Sequence, residues 1–262
     1  MTERMDERHA RILNLVSDNE KISVAELSRI IGISEVTLRK DLSFLEERGL
    51  LRREHGYATM VNSDDVSKRL SFNYNIKRAI AARAANDIRE GETVMIESGS
   101  CCALLAEALV STHHDITIIT NSVFIATHIR RSRNAKIILL GGEFQKEAQV
   151  MVGPLIGKCV EDFYVDKFFI GTDGFNNFGA MSGDLMRADA VRTMALNANR
   201  VVILTESKKF TQVGVVSLIP FEKIGAIYTD DQIAPSTLDL LSKKNIAVVT
   251  CGLDGSQLQR LK

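Results

Sequence analysis

The chain has 262 residues, 45% of them hydrophobic and 25% charged, and its 33 lysines and arginines balance 33 aspartates and glutamates. This predicts a soluble protein with room for one small and one medium-sized domain, and the zero net charge excludes a broadly basic nucleic-acid binder. The charged first twenty residues and the lack of an apolar run of about 18 residues indicate no secretory signal and no membrane partner, so we expect a cytoplasmic protein.

The four cysteines do not have the spacing of metal ligands. Their small number suits a reducing cytoplasm, and we expect no metal and no cofactor. Adjacent Cys101 and Cys102 are open to two interpretations, a redox pair or two buried thiols. We favour buried thiols because a disulfide between neighbouring residues is strained.

The N-terminal 60 residues predict a helix-turn-helix. Ile12, Leu13 and Val16 have helical spacing and indicate a scaffold helix over residues 1–19. Ser23 is a good N-cap for a second helix, which we expect to end near Ile31. Gly32 then allows a tight turn, and Ser34 can cap a third helix at once, which is helix-turn-helix geometry.

The third helix has an apolar face and a polar face. Leu38, Leu42 and Leu45 are expected to face the core. The opposite face and the basic hairpin that follows are expected to meet DNA, the helix at base edges and the hairpin as a wing along the backbone. The DNA-binding residues that we predict are Ser34, Glu35, Val36, Thr37, Arg39, Lys40, Ser43, Arg52, Arg53 and His55.

This stretch, VAELSRIIGISEVTLRKDLSFLEERGLLRREHG, resembles the DeoR-type bacterial regulators. Their pattern is a recognition helix S-x-x-T-[IL]-R-[RK]-D-L followed by L-x-R-x-H-G-G. One position departs from it, since Tyr57 stands where the family has a second glycine. The resemblance implies a winged helix-turn-helix that binds an operator in double-stranded DNA.

The remainder of the chain alternates apolar strands with helices. We expect a linker over residues 61–75 and, over residues 76–262, an α/β effector-binding and oligomerisation domain that follows the winged helix-turn-helix of residues 1–60. Strands as apolar as TVMIE, ITIIT, KIILL and VVILT predict a mostly parallel, Rossmann-like sheet covered on both faces. Ligands of such sheets sit beyond the carboxyl ends of the strands, so the residues there are informative.

Five strand ends carry small and polar residues. Ser100 and the backbone N–H groups that begin the next helix are expected to form an anion cradle, to which Lys209 adds a positive charge. The alternative for each junction is ordinary turn and helix-cap chemistry. The effector-binding residues that we predict are Glu97, Ser98, Gly99, Ser100, Cys101, Asn121, Ser122, Gly141, Gly142, Gly171, Asp173, Gly174, Arg187 and Lys209.

The segments ESGS, TNS, LGGEF, GTDGF and SKKF resemble, in order, the C-terminal domain of the same DeoR-type family. Those domains are similar to ribose-phosphate isomerase, glucosamine-phosphate deaminase and CoA-transferase folds, and they sense phosphorylated sugars. The family's Glu-x-x-x-Lys pattern appears here as Arg187 and Val191. The resemblance implies a phosphorylated sugar effector, with the pocket changed at these two positions.

We therefore expect a transcription regulator, in particular a repressor of a sugar-metabolism operon, and not an enzyme. Two half-sites on DNA need a two-fold pair of recognition helices, which predicts a homodimer or homotetramer. The alternative is a sugar-phosphate isomerase or deaminase with an appended DNA-binding domain, for which Glu97, Asp173 and Glu206 are candidate bases. A dinucleotide sensor is excluded because no G-x-G-x-x-G follows a strand.

Overall fold

A computed structural model describes residues 2–19, 21–47, 50–59 and 66–252. The chain divides into two compact units, residues 1–75 and 76–262. Among the described residues, no helix has both the length and the apolar character needed to cross a membrane.

The first unit is a winged helix-turn-helix, as predicted. Its helices and strands are α1 (Thr2–Asn19), β1 (Lys21–Ser23), α2 (Val24–Ile31), α3 (Glu35–Glu47), β2 (Arg52–Glu54), β3 (Tyr57–Thr59) and α4 (Val66–Ser71). Strand β3 lies between β1 and β2 and is antiparallel to both. The sequence did not predict β1, because a three-residue strand has too short a pattern to be distinguished from a helix-capping turn.

A tight turn at His55 and Gly56 joins the two strands of the wing. Both residues have positive φ, 45° and 86°, and two such residues in a two-residue hairpin loop match the right-handed twist of the strands. Gly56 meets this requirement without strain because it has no Cβ. Tyr57, which departs from the family pattern, lies in β3 beside Lys21, whose Nζ is 4.9 Å from the centre of the tyrosine ring.

The segment expected to be a linker contains regular structure. Helix α4 lies inside residues 61–75, and the next helix begins at Tyr74, whereas residues 61–65 lie outside the described part of the chain. Polar residues obscure the helical period of this segment, so composition alone predicted a loop.

The second unit contains a parallel sheet with helices on its faces, which confirms the predicted fold class. Its first half comprises α5 (Tyr74–Ala85), β4 (Thr93–Ile96), α6 (Ser100–Thr112), β5 (Ile116–Thr120), α7 (Val123–Ile129), β6 (Ala135–Leu139), β7 (Glu143–Gln145), β8 (Val150–Val152) and α8 (Leu155–Val160). The second half comprises β9 (Val165–Ile170), β10 (Gly174–Phe175), β11 (Gly179–Ser182), α9 (Leu185–Ala195), β12 (Ala198–Leu204), β13 (Val216–Pro220), β14 (Ile224–Asp230), α10 (Pro235–Lys243) and β15 (Ala247–Cys251), with short 3-10 helices at Ser207–Thr211 and Phe221–Lys223.

The strand order of the parallel sheet, within the described residues, is β15-β14-β12-β9-β4-β5-β6. Phe168 and Phe169 are successive residues of the central strand β9, and both are buried. Because successive side chains of a strand point to opposite faces, the sheet must be covered on both sides. Two small antiparallel groups, β10-β11-β13 and β7-β8, accompany it and were not predicted.

Candidate functional site

Helix α3, the predicted recognition helix, begins with a capped turn. The Ser34 hydroxyl accepts a hydrogen bond from the Thr37 N–H at 3.2 Å and is 2.9 Å from the Thr37 hydroxyl. Glu35, Val36, Arg39 and Lys40 are exposed, and Ser43 is half-buried. Val36 is notable because 67% of it is exposed, although it is apolar. Leu38, Leu42 and Leu45 are buried, so helix α3 has the buried apolar face that the sequence predicted.

The arginines of this surface are held by glutamates. Arg39 Nη2 is 3.0 Å from Glu35 Oε2, one helical turn earlier. Arg53 of the wing pairs with Glu46 of α3, with 2.6 Å between Nε and Oε2, and donates from Nη1 to the Ser43 hydroxyl at 2.8 Å. These contacts fix the wing against α3 and leave both guanidinium groups partly exposed.

A buried ion pair anchors α3 to α1. Asp41 is only 5% exposed, and its carboxylate accepts hydrogen bonds from Arg8 Nε at 2.6 Å and Arg8 Nη2 at 2.9 Å. His9 Nε2 lies 3.0 Å from the same carboxylate. Burial alone would raise the pKa of Asp41, but the hydrogen bonds from Arg8 and His9 outweigh it and hold that pKa below its ordinary value. The sequence signal of this pair is an aspartate inside the apolar stripe of α3.

In the second unit, the predicted strand ends converge at one edge of the sheet. Ile96 pairs with Thr120 and with Phe169, so the residues that follow these three strands lie at the same level. Glu97 occupies the centre of this edge, where its Oε2 accepts the backbone N–H of Gly99 at 2.9 Å and that of Gly171 at 3.1 Å. Its Oε1 accepts the Ser98 hydroxyl at 2.8 Å.

The N-terminus of α6 opens onto this edge. The N-cap residue of α6 is Gly99, which has no side chain. The backbone N–H groups of the first turn, from Ser100 onward, therefore receive no hydrogen bond from a capping side chain. Gly99 and Gly171 pack backbone to backbone, since a Cβ on Gly99 would lie 3.1 Å from the Gly171 Cα. Cys101 is buried in the first turn, and its burial raises the pKa of the thiol to about 12.

Asn121 and Ser122 follow the neighbouring strand β5. Asn121 is 1% exposed, donates from Nδ2 to the Met151 carbonyl at 3.0 Å, and has no hydrogen-bond partner for its Oδ1 among the described residues. Ser122 instead caps α7, accepting the Ile125 N–H at 3.1 Å. A buried carbonyl oxygen without a donor costs free energy unless a ligand or water supplies one.

Gly142, which follows β6, and Gly174, which follows β9, allow other backbone segments to approach closely. A Cβ on Gly142 would lie 2.5 Å from the Val152 carbonyl oxygen, and one on Gly174 would overlap the Gln212 carbonyl. Gly141 is less constrained, since its Cβ would meet only Cys159 Sγ, at 3.6 Å. Asp173 accepts the Gly183 N–H at 2.8 Å and so joins its strand end to the start of α9.

Arg187 and Val191, the two departures from the family pattern, lie on α9 in different surroundings. Val191 is buried in the hydrophobic core. Arg187 is mostly buried, with its Nε 3.6 Å from Asp184 Oδ1. Asp184 caps α9; burial would raise the pKa of its carboxyl, but the Arg187 N–H and the Gln145 side chain outweigh this and lower it.

The three lysines near the end of β12 make different contacts. Lys209 points to Gln212, with 2.9 Å between Nζ and Oε1. Instead, Glu206 is flanked by Lys208 at 3.1 Å and by Lys77 of α5 at 3.4 Å. Lys77 does not follow a strand, so the pattern of strand ends does not point to it. The available signal was a lysine in the stripe of Ile80, Ala81 and Ala84.

Comparisons with known proteins cover both units. A model of the DeoR-like helix-turn-helix domain matches residues 8–64, and a model of the DeoR C-terminal sensor domain matches residues 72–231. The HTH-type transcriptional regulator GolR of Listeria innocua is 30% identical over 87% of this chain and 91% of its own length. The glycerol-3-phosphate regulon repressor of Escherichia coli (strain K12) is 26% identical over 95% of this chain and its full length.

Further similarities are weaker or narrower. The putative aga operon transcriptional repressor of Escherichia coli O157:H7 is 26% identical over 94% of both chains. Among solved structures, ribose 5-phosphate isomerase A of Methanocaldococcus jannaschii is 17% identical with a TM-score of 0.39. That match covers 53% of this chain, and the chain spans about half the length of the isomerase, 55%.

Proposed function

The chain belongs to the DeoR family of helix-turn-helix transcriptional regulators, and from this premise we propose that it is a sequence-specific repressor of a sugar-metabolism operon, controlled by a phosphorylated sugar. The observation that carries the proposal is the polar, exposed face of α3 beside a wing that presents Arg53. The names of two relatives, repressors of the aga operon and of the glycerol-3-phosphate regulon, support repression.

On DNA, the N-terminal part of α3 enters the major groove and the wing follows the backbone. Arg39 reads a base edge, and the exposed Val36 suits contact with a thymine methyl group. Arg52, Arg53 and His55 contact phosphates. Arg39 leaves Glu35 in this step, which costs little because an exposed ion pair contributes little to stability.

The effector occupies the carboxyl edge of the parallel sheet. Its phosphate lies at the N-terminus of α6, where backbone N–H groups and the helix dipole favour an anion. A sugar hydroxyl donates to Asn121 Oδ1, which would otherwise be a buried acceptor without a donor. Arg187 and Asp173 face the distal part of the sugar.

We propose that the protein regulates transcription and does not convert its effector, in preference to an isomerase or deaminase activity. The three carboxylates considered as bases are already engaged: Glu97 with two backbone N–H groups, Asp173 with Gly183, and Glu206 with two lysines. A general base has to be positioned to accept a substrate proton. The protein acts in the cytoplasm as a homodimer or homotetramer that places two recognition helices on two half-sites.

The test of DNA recognition compares Arg39→Ala with Arg53→Ala on operator and non-operator DNA. Arg39→Ala should cost about 1–3 kcal/mol on the operator and relax base preference, because a base contact is lost. Arg53→Ala should weaken all sequences about equally and reduce the salt slope by about one. The measurement is fluorescence anisotropy of labelled duplexes over a salt series.

Arg130→Ala is the matched control, since Arg130 is an exposed arginine at the end of α7 in the other unit. Its affinity for DNA should equal that of the wild type. Equal losses for Arg39→Ala and Arg53→Ala on every duplex would show that the roles assigned to the two arginines are wrong.

A further inference from the structure

Helix α9 carries a row of exposed and partly exposed side chains along one side. The row has residues at intervals of four, three and four, which is the spacing that places side chains on one face of a helix. These residues are Leu185, Asp189, Arg192 and Leu196, and we call them the α9 stripe. Leu196 is the C-cap residue of α9 and keeps helical backbone angles, so the stripe continues to the end of the helix.

The α9 stripe faces away from the core of the second unit. The residues that α9 buries are Ala188, Ala190, Val191 and Met194. In contrast, Leu185 is 62% exposed and Leu196 is 69% exposed, and the two charged side chains between them are also accessible to solvent. Single exposed leucines are common on protein surfaces. The informative feature is therefore the order of the four residues.

The order of the α9 stripe makes it complementary to itself. It has a leucine at each end and two opposite charges in the middle. When two such helices pack antiparallel around a two-fold axis through the middle of the stripe, Leu185 faces Leu196 of the second copy, and Asp189 faces Arg192 of the second copy. The symmetry repeats each contact. A parallel arrangement would place like charges opposite each other, so the charges select the antiparallel one.

The two charged residues can exchange their present contacts for contacts with a second copy. Within the chain, Arg192 Nη2 is 3.4 Å from Asp189 Oδ1, and Arg192 Nη1 donates to the Ser217 carbonyl of β13. An exposed ion pair between residues of one helix contributes little to stability. Both side chains can therefore turn to the opposite charge on another molecule at small cost.

Apolar side chains lie beside both ends of the stripe. Val215 is exposed and donates its backbone N–H to the Ser182 carbonyl, which lies shortly before the start of α9. Tyr164 is exposed near the other end, because the next residue, Val165, donates to the carbonyl of Asn197. Antiparallel packing brings the first end of one copy against the last end of the other. The contact thus combines apolar groups with charge pairs that fix its register.

We propose that the α9 stripe is the surface through which two copies of this chain associate, with the two α9 helices antiparallel around a two-fold axis. The inference rests on the proposed function, which requires two recognition helices on two half-sites, and it identifies the residues that join the two copies.

Helix α10 shows that an exposed helix face does not have this property by default. Its exposed residues include Ser236, Asp239, Leu240 and Lys243. In an antiparallel pair of α10 helices with the axis at the middle of this row, Asp239 would face Leu240 of the second copy, and Ser236 would face Lys243. Neither contact joins opposite charges or two apolar groups, so α10 provides matched controls.

The first test measures self-association of the full-length protein by analytical ultracentrifugation over a concentration series. Asp189→Arg and Arg192→Asp should each weaken association by about tenfold or more, because two like-charge contacts replace two opposite-charge contacts across the axis. If the wild type is a tetramer, each variant should instead leave a dimer, because one of two interfaces is lost. Thermal unfolding verifies that each variant is folded.

A mixture of the two variants separates a contact between copies from the ion pair within α9. The stripe of Asp189→Arg carries two positive charges, and that of Arg192→Asp carries two negative charges. A pair formed from one of each regains both opposite-charge contacts, although the ion pair within each helix remains broken. We expect the equimolar mixture to associate about as strongly as the wild type. Weakened variants that do not recover on mixing would overturn the proposal.

The controls are the same kinds of substitution on α10. Asp239→Arg should associate as the wild type does, because Asp239 lies outside the α9 stripe. Leu196→Ser should weaken association, whereas Leu240→Ser, at an exposed leucine of α10, should not. Wild-type association that neither Asp189→Arg nor Arg192→Asp changes would overturn the proposal and would leave the stripe to a different partner.

Operator affinity of the same proteins distinguishes a failure of this inference from a failure of the proposed function. We expect each charge-reversal variant to bind operator more weakly at concentrations where it no longer associates, and the equimolar mixture to regain the wild-type affinity. A monomeric wild type that binds operator would overturn the inference and leave DNA recognition intact. A wild type that binds no DNA would overturn the proposed function, whatever its state of association.

Discussion

At the scale of single residues, the buried Asp41 carboxylate fixes the recognition helix to α1. Asp41→Asn keeps the shape but removes the charge that satisfies Arg8 and His9. Breaking a partly buried ion pair in this way should destabilise the first unit by about 2–3 kcal/mol at neutral pH. Hydrogen exchange of the amide groups in α3, followed by mass spectrometry on the full-length protein, measures the local loss.

The pH dependence of this effect follows from the direction of the pKa shift. The pKa of Asp41 is lowered in the folded protein, so its contribution to stability is fully present above the ordinary carboxyl pKa of about 3.9 and is lost as the pH falls below that value. The part of the difference between wild type and Asp41→Asn that comes from the carboxylate should shrink below about pH 4. Glu35→Gln, which removes an exposed carboxylate from the same helix, should cost less than about 1 kcal/mol. Equal effects of the two variants would contradict a structural role for Asp41.

Lysines show what sequence reasoning identified and what it missed at this scale. The convergence of Glu97, Asn121 and Gly171 followed from the rule that parallel strands end at one edge. The choice of Lys209 followed from its position after a strand, but the side chain points to Gln212. Lys77 lies outside the reach of that rule because it belongs to helix α5, yet it pairs with Glu206 after β12.

At the scale of elements, the β7-β8 hairpin depends on close backbone approach at Gly142. An alanine there would place its Cβ 2.5 Å from the Val152 carbonyl oxygen, a distance that requires the backbone to move. Gly142→Ala should therefore destabilise the second unit by about 1–3 kcal/mol, as overpacking does elsewhere. Urea denaturation followed by circular dichroism measures the change in the free energy of unfolding.

The adjacent glycine provides the control for this effect. Gly141→Ala would bring its Cβ 3.6 Å from Cys159 Sγ, an ordinary van der Waals contact, and should leave stability within about 0.5 kcal/mol of the wild type. If Gly141→Ala and Gly142→Ala destabilised the protein to the same extent, the close approach of Gly142 to Val152 would not be the cause of the destabilisation.

The elements that the sequence predicted are those with a long or continuous pattern. Strand β5 and residues 201–204 of β12 are largely apolar runs because both faces of a parallel sheet are covered, and α6 and α9 are helices of 13 and 11 residues. Strands β7, β8, β10 and β11 have two to four residues. Their pairing depends on which backbones meet in the folded chain, which a short pattern does not encode.

At the scale of the whole molecule, two units with different tasks lie on one chain. The first unit is a helix-turn-helix domain, and the second gathers polar groups from separate strand ends at one edge of a sheet. The fold class and the order of the units followed from alternation of apolar strands with helices and from the helix-turn-helix pattern. Regulation requires that the effector bind more strongly in one arrangement of the DNA-binding units than in another.

The most direct test measures the affinity of the full-length protein for its operator, at fixed salt, across a panel of phosphorylated sugars and the same sugars without phosphate. We predict that at least one phosphorylated sugar changes the Kd for operator DNA by about fivefold or more, whereas its unphosphorylated form does not. Tight operator binding that no member of the panel alters would contradict control by a phosphorylated sugar, and the absence of DNA binding at low salt would contradict the regulator itself.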